Sequence, residues 1–380
     1  MSRVVLKQHP LYVHCVATAK PLLAAVFQPY VLPTMTQTAF KPRSLKLADA
    51  TVNINPIGLG CMNLSHAYGV PPDFQQATAL LHAALDEGVD FFDTAALYGF
   101  GANERLVGEV LTRHPALRRQ LTLASKCGMT GVDLAGDGKL VRVIDGRPAT
   151  LRATIDESLS RLRCDVIDLY YLHRWDKQVP IEDSVGALSD MVRAGKIRGI
   201  GLSEVSADTL ARANKVHPIA AVQTEYSLWT RNPEIAVLKA CADIGATFVA
   251  FSPVGRGFLV QNPPVFDALD AKDIRRSMPR FTPEHFASNL KLHGALSQLA
   301  QSLGHTPAQI ALAWLLHQAP HIMTIPGTVN AAHLRENMAA NAISLDANTL
   351  SQLNELFKPS AVSGSRYNAL GNSEVDTETF

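Results

Sequence analysis

From residue 57 onwards, the sequence repeats one pattern: a short apolar run is followed by a longer stretch with helical spacing, eight times in all. Most of the apolar runs are continuous rather than alternating, which is typical of strands buried on both faces of a parallel sheet. Eight strand–helix units within roughly 285 residues predict an α/β protein with a closed (β/α)₈ barrel, also called a TIM barrel. The runs are IGLG (57–60), DFFD (90–93), LTLAS (121–125), VIDLYYL (166–172), IRGIGL (197–202), AAVQT (220–224), ATFVAF (246–251) and IMTI (322–325).

Two additions to the barrel are predicted. The segment 44–56 alternates polar and apolar residues and contains turn-forming residues, so we expect an N-terminal β-hairpin that closes the bottom of the barrel. A long insertion follows the seventh apolar run and precedes helical patterns near 289–302 and 307–318. A doubly wound sheet is disfavoured, because a dinucleotide-binding fingerprint needs a third glycine where this chain has Asn63 after Gly58 and Gly60.

Three segments are expected along the chain. Residues 35–358 are predicted to form a single barrel domain, and residues 359–380 a C-terminal tail. Residues 1–34 contain Arg3, Lys7 and Lys20 but no acidic residue, and prolines interrupt their apolar stretch. We expect a disordered N-terminal extension there, with a weak targeting segment as the alternative.

Overall composition argues against several classes of partner. The formal net charge is +1, so the chain lacks the electrostatic footprint of a protein that binds nucleic acid or an anionic membrane. No apolar run reaches the roughly 18–20 residues of a membrane helix. Cysteines occur without any C-x-x-C pair, which favours a reducing, cytoplasmic compartment. His317 and His321 are separated by Pro320, which prevents a shared helical face, so no metal site is expected.

Polar side chains follow three consecutive strands of the predicted barrel. Asp93 ends the second strand and Tyr98 lies in the loop after it, Lys126 ends the third strand, and His173 ends the fourth. In barrels of this kind, the carboxyl ends of the strands form the active-site face. Each residue alone has a structural explanation, as a cap, a loop wall or a solvated charge. Together, the four predict one catalytic cleft.

An acid, a phenol, an ammonium group and an imidazole suit the reduction of a carbonyl. Free tyrosine has a pKa near 10, and a nearby ammonium group lowers it. Bringing the pKa of Tyr98 to about 7 requires roughly 4 kcal/mol, which Lys126 is expected to supply. Asp93 would keep Lys126 charged and oriented, and His173 would bind the substrate oxygen or help to deliver the proton. Because no protein group donates a hydride, a nicotinamide cofactor is implied.

The chain resembles the aldo-keto reductases over roughly residues 40–345, and most closely the microbial and plant branch with GLSEVS and EYSLW motifs. The motifs are DTAALYG (93–99), SKCG (125–128), DLYYLHR (168–174), GKIRGIGLSEVS (195–206), VQTEYS (222–227), FSPVGRGFL (251–259) and IPGTVNAAHLREN (325–337). The resemblance implies a catalytic tetrad at Asp93, Tyr98, Lys126 and His173, with NADPH bound across the barrel mouth. The cofactor-binding residues that it implies are Ser203, Glu204, Gln223, Phe251, Ser252, Pro253, Gly255, Arg256, Gly257, Gly327, Thr328, His333, Arg335, Glu336 and Asn337.

Several positions depart from the family pattern. Glu204 stands where many relatives have Asn, and Phe251 where many have the Tyr that stacks on the nicotinamide. Many relatives carry a Lys or Arg just after IPG, or four to six residues later, which binds the 2′-phosphate of NADPH. Thr328 and Val329 occupy the first places here, and the nearest cation is Arg335. We therefore expect NADPH to be preferred by a modest margin, with NADH as the alternative cofactor.

The combined expectation is NADPH-dependent reduction of aldehydes or ketones to alcohols by a monomer or weak homo-oligomer. Met62, Tyr68, Trp175 and Trp229, with Arg231 beside them, are expected to form the substrate wall. Such a wall suits small or aromatic aldehydes, such as methylglyoxal or pyridoxal. The alternative is a slow or non-catalytic regulatory subunit of the same fold, like those of membrane channels, although all four tetrad residues are present. A metal-dependent hydrolase would need ligands that the strand ends lack.

Overall fold

The computed structural model describes residues 40–65 and 67–380, so the expectations for residues 1–34 concern a part of the chain outside the described residues. The strands are β1 (Arg43–Lys46), β2 (Thr51–Ile54), β3 (Leu59–Gly60), β4 (Phe91–Asp93), β5 (Thr122–Cys127), β6 (Met129–Val132), β7 (Val141–Ile144), β8 (Leu169–Leu172), β9 (Ile200–Ser203), β10 (Ile219–Glu225), β11 (Thr247–Phe251) and β12 (Ile322–Thr324). The α-helices are α1 (Phe74–Asp86), α2 (Ala102–Thr112), α3 (Pro115–Arg118), α4 (Pro148–Leu162), α5 (Ile181–Arg193), α6 (Ala207–Val216), α7 (Val237–Ile244), α8 (Pro283–Ser302), α9 (Pro307–Gln318), α10 (Ala331–Ala339), α11 (Ala347–Leu356) and α12 (Ala369–Ser373).

Eight parallel strands form a barrel in the order β3, β4, β5, β8, β9, β10, β11 and β12. The sheet closes on itself where the segment before β3 meets β12. Gly58 N donates to Thr324 O at 2.9 Å, and Thr324 N donates to Pro56 O at 2.8 Å. α-Helices connect the successive strands of this barrel. The predicted (β/α)₈ barrel is confirmed, and the carboxyl ends of its strands meet at one face.

The predicted hairpin, formed by β1 and β2, closes the amino-terminal end of the barrel. Leu45 on β1 and Ile54 on β2 are buried and pack against side chains of the barrel strands, among them Phe91, Leu169 and Met323. Burial of an aliphatic side chain of this size contributes about 1.5–3 kcal/mol. Apolar packing of the hairpin therefore fills the barrel from below and leaves the opposite end for a site.

Side-chain caps determine where several helices begin. Asp73 accepts from Gln76 N at 2.8 Å, and the Gln76 side chain accepts from Asp73 N, which starts α1 with a capping box. Ser206 caps α6 by accepting from the backbone N of the third residue beyond it. Pro233 lies in a short 3₁₀ turn before α7. The extended φ of −152° at Ala236 separates that turn from α7.

Two further elements surround the barrel mouth. The antiparallel hairpin β6–β7 follows β5 directly and was not predicted. Residues 359–380, expected as a tail, lie over the carboxyl ends of the strands, and we call them the C-terminal strap. Asp376 N donates to Glu204 O at 2.9 Å, and Lys177 Nζ donates to the carbonyls of Ser373 and Val375 at 2.9 and 2.8 Å. Among the described residues, no helix is both long and apolar enough to span a membrane.

Candidate active site

A cavity of about 870 Å³ opens at the carboxyl end of the barrel strands. The strand ends, the loops after β11 and β12, and the C-terminal strap contribute its walls. Most of the residues singled out from the sequence line it. They are Met62, Tyr68, Asp93, Tyr98, His173, Ser203, Gln223, Phe251, Ser252, Pro253, Arg256, Gly257, Gly327, Thr328, His333, Glu336 and Asn337.

Asp93, Lys126 and Tyr98 form a buried polar cluster beside the cavity. Lys126 Nζ makes an ion pair with Asp93 Oδ1, donates to Thr94 O at 2.9 Å, and lies 3.2 Å from Tyr98 Oη. Gln223 Nε2 donates to Asp93 Oδ2 at 2.7 Å. The Lys126 side chain is 0% exposed. Because an isolated buried ammonium group is strongly disfavoured, Asp93 is what allows a charged lysine to lie beside the phenol.

His173 lies next to Tyr98 at the same edge of the barrel. The two ring centroids are 5.8 Å apart, with the ring planes at 83°. His173 is the first residue after β8, and its backbone N donates to Cys127 O at 2.9 Å, at the end of β5. Adjacent parallel strands thus hold the phenol, the ammonium group and the imidazole in fixed positions, where one substrate oxygen can contact the phenol and the imidazole together.

The pKa of Tyr98 corrects one expectation from the sequence. Burial raises the pKa of Tyr98 above its ordinary value, Lys126 opposes that rise, and Asp93 adds to it. The expected pKa of about 7 is therefore wrong, because the desolvation of the phenol outweighs the lysine charge. Burial alone would lower the pKa of Lys126, but Asp93 and Tyr98 hold it above its ordinary value. At neutral pH, a neutral phenol faces a charged ammonium group.

The turns after β9 and β11 adopt unusual backbone conformations beside the cavity. Glu204, Ser252 and Arg256 have φ values of 57°, 50° and 55°. Residues other than glycine seldom occupy this left-handed region, which costs about 1–2 kcal/mol per residue. At the first turn, Ser203 lines the cavity, whereas Glu204 is buried and turned toward the C-terminal strap. The strained backbone therefore lies where Ser203 faces the cavity and the next side chain, Glu204, points away from it.

The donor groups around the cavity suit a nicotinamide dinucleotide. Ser203 Oγ accepts from Arg174 Nη1 at 3.2 Å, which leaves the hydroxyl hydrogen for a carboxamide oxygen. At the loop after β12, Thr328 lines the cavity just before α10, which Asn330 caps. The amino-terminal end of a helix favours phosphate groups through its free N–H groups and its dipole. One cavity thus contains groups that can bind an amide and groups that can bind phosphates.

Three predicted cofactor contacts, Glu204, Gly255 and Arg335, do not line the cavity. The Glu204 carboxylate is held by the Arg366 guanidinium and also accepts from Glu225 N at 2.9 Å. Arg335 Nη1 lies 3.4 Å from Glu87 Oε1, and the Arg335 side chain is 58% exposed. The side chains of Glu204 and Arg335 are directed to other partners, because Glu204 finds a guanidinium and Arg335 a carboxylate away from the cavity.

Arg256 lines the cavity, but its guanidinium is engaged by the protein. Arg256 Nη2 donates to Glu225 Oε2 at 2.6 Å and to Tyr367 Oη at 2.9 Å. The side chains of Arg256 and Glu225 are only 7% and 4% exposed. A buried pair of this kind compensates its own charge. In this structure, Arg256 anchors the loop after β11 to β10 and to the C-terminal strap.

The structure separates the residues that were expected to form the substrate wall. Met62 and Tyr68 line the cavity, whereas Trp175, Trp229 and Arg231 do not. Trp229 is buried and stacks on Phe258 with centroids 3.9 Å apart. Trp175 Nε1 donates to Val179 O at 2.9 Å, and Arg231 pairs with Glu234. The size and polarity of these side chains predicted a wall, but neighbouring backbone and aromatic partners turn them inward.

Several cavity residues were missed from the sequence. Arg142 on β7 and Glu374 on the strap both line the cavity and form an ion pair across its mouth. Tyr367 lines it from the strap, and Arg174 from the position after His173. Only Arg174 carried a signal in the sequence, since it directly follows a strand end. The others reach the cavity from segments far away in the chain.

The sequence pattern of the aldo/keto reductase family matches residues 56–358. The chain belongs to the aldo/keto reductase family. A probable aldo-keto reductase 1 from Glycine max is 39% identical over 338 residues, which are 88% of this chain and 93% of the soybean protein. This aldo/keto reductase is a nicotinamide-dependent oxidoreductase that acts on carbonyl groups. The family match ends at residue 358, where the C-terminal strap begins.

Solved structures of relatives have the same architecture. A glycerol dehydrogenase from Gluconobacter oxydans superposes with a TM-score of 0.74 at 26% identity, over 82% of this chain and 94% of that one. An aldo/keto reductase from Klebsiella pneumoniae in complex with NADP and acetate superposes with a TM-score of 0.64 at 26% identity, over 86% and 99% of the two chains. The cofactor of this family is a nicotinamide dinucleotide, and NADP(H) complexes occur among these relatives.

Proposed function

We propose that this reductase converts aldehydes to alcohols with NADPH and that Tyr98 is the general acid. The carrying observation is the position of Lys126 Nζ, 3.2 Å from Tyr98 Oη and paired with Asp93 on its other side. A proton donor must hold its proton before the reaction, and burial raises the pKa of Tyr98 above its ordinary value. The adjacent ammonium group then stabilises the phenolate that proton transfer leaves behind.

The four residues divide the work at the substrate oxygen. NADPH, when bound, supplies the hydride that goes to the carbonyl carbon. The hydroxyl hydrogen of Tyr98 goes to the carbonyl oxygen, the phenolate charge faces Lys126, and solvent returns the proton. Asp93 keeps Lys126 charged and in place. The imidazole of His173 lies beside the phenol and orients the carbonyl oxygen toward it.

The cofactor would lie along the strand ends that follow β8. Ser203 and Gln223 are the side chains that would hold the carboxamide, and Phe251 is the aromatic group that would face the nicotinamide ring. Thr328 and the start of α10 would receive the phosphates at the far end. The charge of Arg256 is satisfied by Glu225, so the loop after β11 would contact the pyrophosphate mainly through its backbone.

Small or aromatic aldehydes suit the rest of the cavity, because Met62, Tyr68, Met129 and Met278 present apolar surface there. The test is a panel of such aldehydes with NADPH and with NADH, followed by the loss of reduced-nicotinamide absorbance. We expect turnover of several aldehydes, faster with NADPH. Binding of NADPH without turnover of any aldehyde would contradict the proposal and would favour a regulatory role. Since a glycerol dehydrogenase is among the relatives, polyol oxidation with NADP⁺ belongs in the same panel.

A further inference from the structure

Arginines are the main cations of the cavity wall, and their partners differ. Arg142 pairs with Glu374, Arg256 with Glu225, and Arg275 with Asp273. Arg174 also lines the cavity. Within the part of the chain that the structure describes, Arg174 makes no ion pair with a carboxylate. One arginine of the wall therefore keeps an uncompensated charge.

Hydrogen bonds fix the position of Arg174, although no carboxylate among the described residues pairs with it. Arg174 Nη1 donates to His173 O at 2.6 Å and to Ser203 Oγ at 3.2 Å. These contacts use one nitrogen of the guanidinium. Neither Nε nor Nη2 has a partner among residues 40–65 and 67–380, so two donors of a planar fork remain for a ligand. Such a fork matches the two oxygens of a carboxylate.

Arg174 also lies close to the reacting groups of the proposed function. It directly follows His173 in the chain, and its guanidinium lies between the ends of β8 and β9. Burial is the largest influence on the pKa of Tyr98, and Arg174 is among the cations that oppose the resulting rise. An anion bound by Arg174 would therefore lie close enough to Tyr98 for one small substrate to contact both residues.

We propose that Arg174 binds the carboxylate of the substrate, so that the preferred substrates are aldehydes or ketones that carry a carboxylate, the oxo acids. This inference rests on the proposed function, since it assigns a substrate class to the same site. A single guanidinium compensates the single charge of a carboxylate, whereas a phosphate ester, with up to two charges, would call for a second uncompensated cation. The three paired arginines cannot supply one without breaking an ion pair.

The test compares matched substrates within each variant. Succinic semialdehyde and butanal share a four-carbon chain and differ in the carboxylate, and 4-carboxybenzaldehyde and benzaldehyde form an aromatic pair. We expect wild-type kcat/KM to favour the carboxylate member of at least one pair by tenfold or more. Arg174→Gln should reduce that preference by about 10–100-fold, mainly through the KM of the acid, and Arg174→Lys should restore part of it. The matched control is the double variant Arg142→Gln with Glu374→Gln, which removes a compensated pair from the cavity wall, leaves its net charge unchanged, and should keep the preference within about threefold.

Three results would overturn the assignment of Arg174. One is an unchanged preference in Arg174→Gln. Another is an equal loss for both members of each pair together with weaker binding of NADPH, which would make Arg174 a positioning residue of the cofactor site.

If the wild-type protein reduces no aldehyde at all, the proposed function fails by itself. Benzoate binding to the protein with NADP⁺, followed by tryptophan fluorescence, then still tests Arg174: equal affinities in wild type and Arg174→Gln would exclude an anion site.

Discussion

The two ends of the barrel both bury polar side chains, but the partners of these groups differ. At the bottom, Arg43 is 4% exposed, and its guanidinium donates to the backbone carbonyls of Ile322 at 2.6 Å and Leu316 at 3.3 Å. At the mouth, Lys126 is buried against the carboxylate of Asp93 and the phenol of Tyr98, beside a cavity. Backbone carbonyls hold Arg43 in place without changing the pKa of a group that takes part in catalysis. A carboxylate, an ammonium group and a phenol alter one another's proton affinity.

The strand β4 shows the same contrast within a few residues. Asp90 precedes it at the bottom, and Asp93 ends it at the mouth. Burial raises the pKa of Asp90 to about 6, and the hydrogen bond from Asn55 N opposes this rise only in part. Burial also raises the pKa of Asp93, but there Lys126 acts in the opposite direction. The comparison predicts that changes at the mouth affect catalysis and changes at the bottom affect stability.

The largest effect is expected at the mouth, from Tyr98→Phe. The variant keeps the ring that packs against His173 and loses the hydroxyl that faces Lys126. Since general acid catalysis contributes about 10²–10⁴-fold, aldehyde reduction should fall by that factor. The free energy of unfolding and the NADPH dissociation constant should change little. Steady-state kinetics, urea unfolding and fluorescence titration measure the three quantities. Wild-type turnover in the variant would remove Tyr98 from its proposed role.

The next largest effect is expected from Arg366→Met, which removes the guanidinium that holds the C-terminal strap. Glu204 would then be left buried without a cation, because its side chain is 0% exposed. Breaking one partner out of a buried pair costs about 3–5 kcal/mol, so urea unfolding should show a loss of that order. Substrate KM should rise as well, since Tyr367 and Glu374 on the strap line the cavity.

The control for Arg366→Met is the double variant with Glu204→Gln. It removes the carboxylate as well as the guanidinium, so it should recover most of the lost stability. The same double variant tests the cofactor expectation for Glu204. If that side chain has no contact with NADPH, the dissociation constant should be unaffected by Glu204→Gln. A double variant as unstable as Arg366→Met would show that the ion pair is not what holds the strap.

A smaller effect is expected at the bottom, from Asp90→Asn. Because burial raises the pKa of Asp90 from its ordinary value near 3.8 to about 6 in the folded protein, the folded protein binds the extra proton between these values. The free energy of unfolding should therefore fall as pH rises from about 4 to 6, by about 1–3 kcal/mol. Asp90→Asn should flatten that slope and stabilise the protein above pH 6, with aldehyde reduction unchanged. Lower stability of the variant at pH 7 would contradict this prediction, since it would mean that the ionised carboxylate of Asp90 stabilises the folded protein.

The mouth also shows how far the sequence predicts a site. Asp93, Lys126 and His173 were found because each ends an apolar run, and strand ends meet at one face whatever the loops do. The contacts of the strap were not predicted, because Arg366 lies 162 residues from Glu204 and Tyr367 lies 111 residues from Arg256. No local pattern indicates pairs so far apart in the chain. Trp229 was assigned wrongly for a related reason: an aromatic residue in a loop packs toward whichever partner the fold provides, here Phe258.

The smallest effect is expected on the outside of the barrel, from Arg335→Gln. Arg335 was the nearest cation to the expected 2′-phosphate site, but it pairs with Glu87 and does not line the cavity. A pair with such exposed partners contributes about 0–1 kcal/mol. The variant should therefore keep the dissociation constants of NADPH and NADH within about threefold. Thr328→Val is the informative comparison, because Thr328 lines the cavity just before α10 and its hydroxyl, which donates to Asn330 O at 3.3 Å, can donate to a phosphate instead. It should weaken NADPH more than NADH and so reduce the modest preference for NADPH. A large loss of NADPH affinity in Arg335→Gln would mean that Arg335 leaves Glu87 when the cofactor binds.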